Sequence, residues 1–282
     1  MLNYNIFKPT FIIIGERKCG TSSLYRYLIS HPNVLPCQLK EPQFFSKPES
    51  FVLTHFPEYL KLFPSIDFQG DISFEWPELN EVGIVYFENV QIKREEGKQY
   101  ITGEASANYL CEANPHLLKR LLPDIKLIVI LRNPTERAYS HYQMFVRFQA
   151  EGRNLGFNIR TFAEEVRDEI QKIREGGRGE FVFPGMYINQ ISQWTKVFGK
   201  DRILILHNES LKKPENAQKI MDKIGLFLEL SSYNYGTILS KKFNLALKEE
   251  PSKKVAQMLS EFYQPYNQAL ELFLDRKFNW DV

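Results

Sequence analysis

The apolar run Phe11-Ile12-Ile13-Ile14 stops at a glycine, passes through Gly15-Glu16-Arg17-Lys18-Cys19-Gly20, and gives way at Thr21 to residues spaced for a helix. A short strand with no polar side belongs in a sheet covered on both faces, which is the habit of parallel sheets, and a glycine-bounded turn leading straight into a helix is how such sheets are connected. Lys126–Leu131 and Arg202–Leu206 have the same character. Helical spacing follows or precedes each run, over Thr21–Ile29, Pro134–Phe148 and Gln190–Phe198. This alternation predicts an α/β fold, a three-layer sandwich around a central parallel sheet. Near the end, Val255, Met258, Leu259, Phe262, Tyr266, Leu270 and Phe273 recur three and four apart. Lys253–Phe273 therefore reads as an amphipathic packing helix, with a break expected at Pro265. No repeat or long linker divides the chain, so residues 1–282 are expected to form a single domain.

Charge narrows the partners. Lys and Arg total 36 against 34 Asp and Glu, a formal charge of +2, which excludes a general nucleic-acid coat and leaves anion binding to local pockets. The three cysteines, Cys19, Cys37 and Cys111, lack C-x-x-C spacing, so neither a disulfide framework nor a structural metal is expected. The N-terminal apolar run is too short for a signal peptide, and no stretch approaches the roughly 20 apolar residues of a membrane span. A cytoplasmic location is the corresponding expectation. Lys93–Lys98 and Arg174–Glu180 read as exposed loops, the second as a mobile rim over a site.

Read physically, GERKCGTSS is an anion cradle: a strand ends, the chain turns on glycines, and a helix start turns its N–H groups and the positive end of its dipole toward one ligand. It departs from the phosphate loop of nucleoside-triphosphate enzymes, G-x-x-x-x-G-K-[ST], because Thr21 stands where the lysine belongs and Lys18 lies inside the loop. Those enzymes also place an acidic residue after another strand to hold magnesium. Here KLIVILRNP ends in Arg132, a residue suited to gripping an anion directly. Asn133-Pro134 then opens a helix on which Ser140 stands about two turns along.

Together these segments resemble the sulfotransferase family. IIIGERKCGTSSLYRYL is similar to its 5′-phosphosulfate loop, and LRNPTERAYSHYQMF to its 3′-phosphate motif. KEPQFFS (Lys40–Ser46) resembles the segment bearing the catalytic glutamate in the heparan sulfate sulfotransferase branch, and GEASANYL (Gly103–Leu110) its substrate-side motif. GMYINQISQWTKVF, ILILHNESL, EFYQPYNQALELF and KFNWD also match phrases of that branch. Two departures bear on the acceptor: Glu104-Ala105-Ser106 stands where several relatives have a lysine-containing phrase, and Ser240-Lys241-Lys242-Phe243-Asn244 only approximates their lysine-rich late loop.

The resemblance implies a P-loop-like fold and the donor 3′-phosphoadenylyl sulfate (PAPS), with adenosine 3′,5′-bisphosphate as product and no metal. It implies Arg17, Lys18, Gly20, Thr21 and Ser22 at the 5′-phosphosulfate, and Arg132 and Ser140 at the 3′-phosphate. Lys241 or Lys242 would close over the donor, and Tyr187 would lie near the adenine or in the core. Glu41 is the expected base, in a partly dry setting beside Phe44-Phe45, and Lys18 the group that steadies the leaving phosphate. Glu104 and Ser106 are expected on the acceptor side, the acceptor being a carbohydrate or glycoconjugate, otherwise a lipid or small metabolite. The five histidines form no ligand cluster; His31 and His141 read as structural. A kinase with an atypical loop and a non-catalytic nucleotide-binding subunit are the alternatives.

Overall fold

The computed structural model describes residues 8–64, 71–79, 85–93, 95, 97–211, 213–241 and 250–280, with backbone alone over 71–79 and 85–93. Five strands form the central parallel sheet: β1 (Phe11–Gly15), β2 (Val34–Pro36), and, after the antiparallel ribbon β3 (Asp71–Leu79) and β4 (Val85–Lys93), β5 (Ile101–Glu104), β6 (Lys126–Leu131) and β7 (Ile203–His207). Their spatial order is β2-β5-β1-β6-β7. β1 is buried along its whole length, as the apolar run requires. The order reverses about β1, so chain leaving β1 goes one way across the sheet and chain leaving β6 the other. Crevices that accept ligands form at the carboxyl ends of such strands.

The helices are α1 (Thr21–Ile29), α2 (Glu49–Leu60), α3 (Tyr109–Glu112), α4 (Pro115–Leu121), α5 (Pro134–Ala150), α6 (Phe162–Arg174), α7 (Tyr187–Phe198), α8 (Pro214–Leu228) and α9 (Lys253–Leu274). Their starts obey local chemistry. Asn114 and Asn133 each accept two backbone N–H groups ahead of a proline, and Thr161 with Glu164 closes a capping box at α6.

The contacts gather into two compact units. One holds residues 1–16, 20–130 and 197–245, hence the sheet; the other holds 17–19, 131–196 and 246–282. In the second, Ala138, Phe162, Val166, Ile170, Val182, Met186, Val255, Leu259 and Tyr263 make one apolar core. That core corrects the expected break at Pro265: α9 runs unbroken through it. Proline removes one ladder hydrogen bond, but Tyr263 and Asn267 are buried on either side of it and hold both halves in line. Among the described residues no helix is long and apolar enough to cross a membrane.

Candidate active site

In the sheet-bearing unit, the Glu16 N–H donates to the Ile130 carbonyl at 3.0 Å, so the loop after β1 begins beside the end of β6. Gly20 precedes α1 at φ 99°, and a Cβ there would lie 2.8 Å from Asn208 Nδ2, so both backbone and space demand glycine. No acidic residue lies in the first turn of α1 and no side chain caps it. Thr21 is buried there and Ser22 half-buried.

Glu41 is exposed and paired with Lys40 Nζ, not set in the dry surroundings expected of it, because Phe44 and Phe45 turn inward. Both rings pack against Tyr59, with centroids 4.6 and 5.3 Å away. Glu104 and Ser106, expected at the acceptor, are fully buried. The Ser106 N–H donates to Glu104 Oε2 at 2.7 Å and the Tyr59 hydroxyl to Oε1 at 3.3 Å.

Burial lifts the Glu104 carboxyl to about 7, against the hydrogen bonds from Ser106 and Tyr109 that lower it, with the Glu41 charge adding to the rise. Its folded value thus exceeds its unfolded one. The folded chain retains a proton that the unfolded chain has already released, so Glu104 subtracts from stability as pH climbs between the two values. Glu104→Gln is expected to gain about 3 kcal/mol relative to the unmodified chain between about pH 4 and about pH 8. Urea midpoints at the two ends check this; an equal difference at both refutes it.

The second unit carries Arg17, Lys18 and Arg132. Lys18 holds φ 68°, which turns the loop sharply at that point. Arg17 Nη1 lies 3.4 Å from Glu180 Oε1, and His141 Nε2 lies 3.5 Å from the same oxygen. Glu180 is fixed from behind: Glu169 accepts the N–H groups of Glu180, Phe181 and Val182 at 2.6, 2.8 and 2.5 Å. A Cβ on Gly179 would fall 2.3 Å from that carboxylate. The expected mobile rim over Arg174–Glu180 is therefore anchored at its far end, while Glu175, Gly176 and Arg178 are exposed. His141 is fully buried with neither ring nitrogen hydrogen-bonded. Burial, then the charges of Arg137, Arg17 and Lys18, hold its imidazole well below the ordinary histidine value, hence neutral.

Arg132 forks onto Glu136, Nε at 2.9 Å and Nη2 at 2.8 Å, and keeps about a quarter of its side chain exposed at 23%. The Asn133 side chain already takes the Thr135 and Glu136 N–H groups, so an anion here would meet side chains before the helix dipole. Tyr187 is buried beside Trp280, and its hydroxyl donates to the Arg132 carbonyl at 2.9 Å. It braces the arginine's backbone. Ser140 is buried on α5. Lys241 is exposed, its carbonyl accepting from the Tyr27 hydroxyl at 2.8 Å, and Lys242 lies outside the described residues. Glu180, Glu169 and Glu136 were not singled out from sequence; only the Arg132–Glu136 spacing of four carried a readable signal.

A family model described as a sulfotransferase domain matches residues 8–274. The chain is 27% identical over 281 residues to human bifunctional heparan sulfate N-deacetylase/N-sulfotransferase 3, covering 94% of this chain and 28% of that protein. It is 25% identical over 326 residues to human carbohydrate sulfotransferase 15, covering 96% and 54%. The chain thus spans roughly a quarter to a half of the curated relatives it matches. Among solved structures, a sulfotransferase from Alicyclobacillus acidocaldarius superposes with a TM-score of 0.66 at 25% identity, covering 98% of this chain and all of that one.

Proposed function

The chain belongs to the sulfotransferase family and is an enzyme of that class, and from that premise we propose that it carries a sulfuryl group from PAPS to a carbohydrate hydroxyl or amine. Residues 1–282 act as one catalytic domain in this reading. The observation that carries it is the glycine-gated, cap-free start of α1 after β1, in a chain whose sequence puts Arg132 directly after β6. A helix start that seeks an anion and an arginine suited to gripping one directly fit a nucleotide that carries two phosphate groups.

Arg17, Gly20, Thr21 and Ser22 hold the 5′-phosphosulfate, and Arg132 and Ser140 hold the 3′-phosphate, Arg132 exchanging Glu136 for it. Tyr187 keeps the Arg132 backbone in place, and Lys241 or Lys242 closes over the donor. Glu41 takes the acceptor proton as the acceptor oxygen or nitrogen forms its bond to sulfur. The bond from sulfur to the bridging oxygen breaks, its electron pair stays on the phosphate, and Lys18 meets the charge that develops there. Glu104 and Ser106, both fully buried, serve the acceptor side from beneath its surface. The heparan sulfate and carbohydrate sulfotransferase relatives favour a sugar acceptor.

The decisive experiment is transfer of labelled sulfate from PAPS into pooled glycans, with calorimetry of the bisphosphate product. Arg132→Ala is expected to weaken bisphosphate binding about 10- to 100-fold, the worth of one charge-assisted fork. Unchanged affinity in that variant, or no nucleotide uptake by the unmodified chain, refutes the assignment.

A further inference from the structure

We infer that Glu104 is a positioning residue for Glu41: buried beneath the segment from Lys40 to Phe45, it holds the turn to which that segment is fastened. The inference rests on the reading of Glu41 as the base and deepens it.

The fastening is a continuous set of hydrogen bonds between the two segments. The Ala105 N–H donates to the Lys40 carbonyl at 2.9 Å, just before Glu41, and the Gln43 N–H donates to Ser106 Oγ at 2.9 Å, just after it. The Phe44 and Phe45 N–H groups both reach the Tyr109 hydroxyl, at 2.8 and 3.2 Å. Gln43 sits at φ 49°, a backbone setting that needs such support in a residue other than glycine. Ala105 and Ser106 are in turn set by Glu104, whose Oε2 takes the Ser106 N–H. Glu104 thus reaches Lys40 and Gln43, on either side of Glu41-Pro42, through the Ala105 backbone and through Ser106.

A buried carboxylate is an odd choice for a purely structural bracket. The groups facing Glu104 are Tyr25 on α1, Cys37 after β2, Glu41, Tyr59 on α2 and Tyr109 on α3, and none of these is positively charged at neutral pH. Ser106 and Tyr59 both donate to it. A protonated carboxyl keeps one oxygen for the Ser106 N–H and turns its O–H on the Tyr59 hydroxyl, which accepts as well as donates, whereas an ionised one leaves a buried charge with no cation among these neighbours. Burial raises the carboxyl to about 7, so the closed bracket holds the proton more tightly than an opened one, and the bracket is firm below that value and loosens above it.

Hydrogen exchange and steady-state kinetics of the full chain and of Glu104→Gln test this. Gln copies the protonated acid, so at about pH 8.5 the Gln43, Phe44 and Phe45 amides should exchange roughly tenfold slower in the variant, and at about pH 5.5 the two chains should converge. Turnover of the unmodified chain should fall roughly tenfold as pH rises through about 7 with donor KM unchanged, and this limb should vanish in Glu104→Gln, while Glu104→Asp, which keeps the charge, should retain it. Equal exchange in the two chains at both pH values overturns the inference, as does an unmoved limb in an active Gln variant. If the unmodified chain transfers no sulfate at all, the base assignment falls and the exchange comparison alone decides whether Glu104 holds the segment. Should the Gln variant not fold, exchange at the same amides in Glu104→Asp and Ser106→Ala decides it, protection equal to the unmodified chain in both being the overturning result.

Discussion

Glu41→Gln should lower sulfate turnover by about 10²- to 10⁴-fold, the usual worth of a positioned base, while binding adenosine 3′,5′-bisphosphate as the unmodified chain does. The substitution keeps the shape of the side chain and removes only its ability to accept the proton. Glu41 is exposed and engaged with Lys40, itself largely buried at 15%, so the loss cannot come from emptying a core position. The donor-gripping residues are separate in the chain, which gives the opposite signature for Arg132→Ala: weaker product binding first, slower turnover only through it. Measuring kcat by labelled-sulfate release and product affinity by calorimetry on both variants separates the roles. Equal loss of product affinity in the two would show that Glu41 belongs to the donor grip.

How far the sequence reaches depends on whether a segment's own residues decide its structure. Phe11–Ile14 and Lys126–Leu131 carry enough apolar, β-branched residues to be strands wherever they are put, and both are. Thr21–Ile29 is bounded by Gly20 and by the turn at Ser30, and its limits were readable for that reason. β2 and β5 are different. Val34–Pro36 has three residues and ends in proline, while Ile101–Glu104 contains a glycine and ends in a carboxylate, so neither has a local signal. Both become strands because β1 offers β5 a ladder, and β5 then offers one to β2. α7 begins at Tyr187, ahead of the expected Gln190, because the Tyr187 side chain is held by Arg132 and Trp280, partners distant in sequence.

The site divides in the same way. Residue types with a chemical purpose at fixed spacing, such as Gly20, Thr21, Arg132 and Ser140, are visible in the letters, since spacing along one strand, loop or helix is a local matter. Burial is not local. Nothing in GEASANYL announces that its glutamate lies at zero exposure under another segment, because the cover comes from α2 and from the residues after β2. Likewise the triple N–H grip of Glu169 on residues 180–182 joins a helix to a loop eleven or more residues on.

Gly103→Ala should be the most disruptive single-methyl change in the sheet, costing about 3 kcal/mol or more. Gly103 pairs with Phe11 across the β1–β5 ladder, and a Cβ on it would stand 2.3 Å from the Phe11 carbonyl oxygen and 2.7 Å from the Phe11 ring. A backbone oxygen cannot swing aside as a flexible side chain can. β5 is also bonded on its other edge to β2, with Pro36 opposite Gly103, so the strand has little freedom to slide. Gly152→Ala is the matched control: φ there is 74° but nothing lies within 4 Å of the added carbon, and the left-handed backbone alone costs about 1 kcal/mol. Urea midpoints of the two variants distinguish crowding from conformation, and equal losses would refute crowding at the β1–β5 ladder. Because β5 ends at Glu104, any displacement the alanine forces also reaches the turn that fastens the residues around Glu41. A Gly103→Ala chain that still folds should therefore lose turnover more than donor affinity, which kinetics on the folded fraction would read directly.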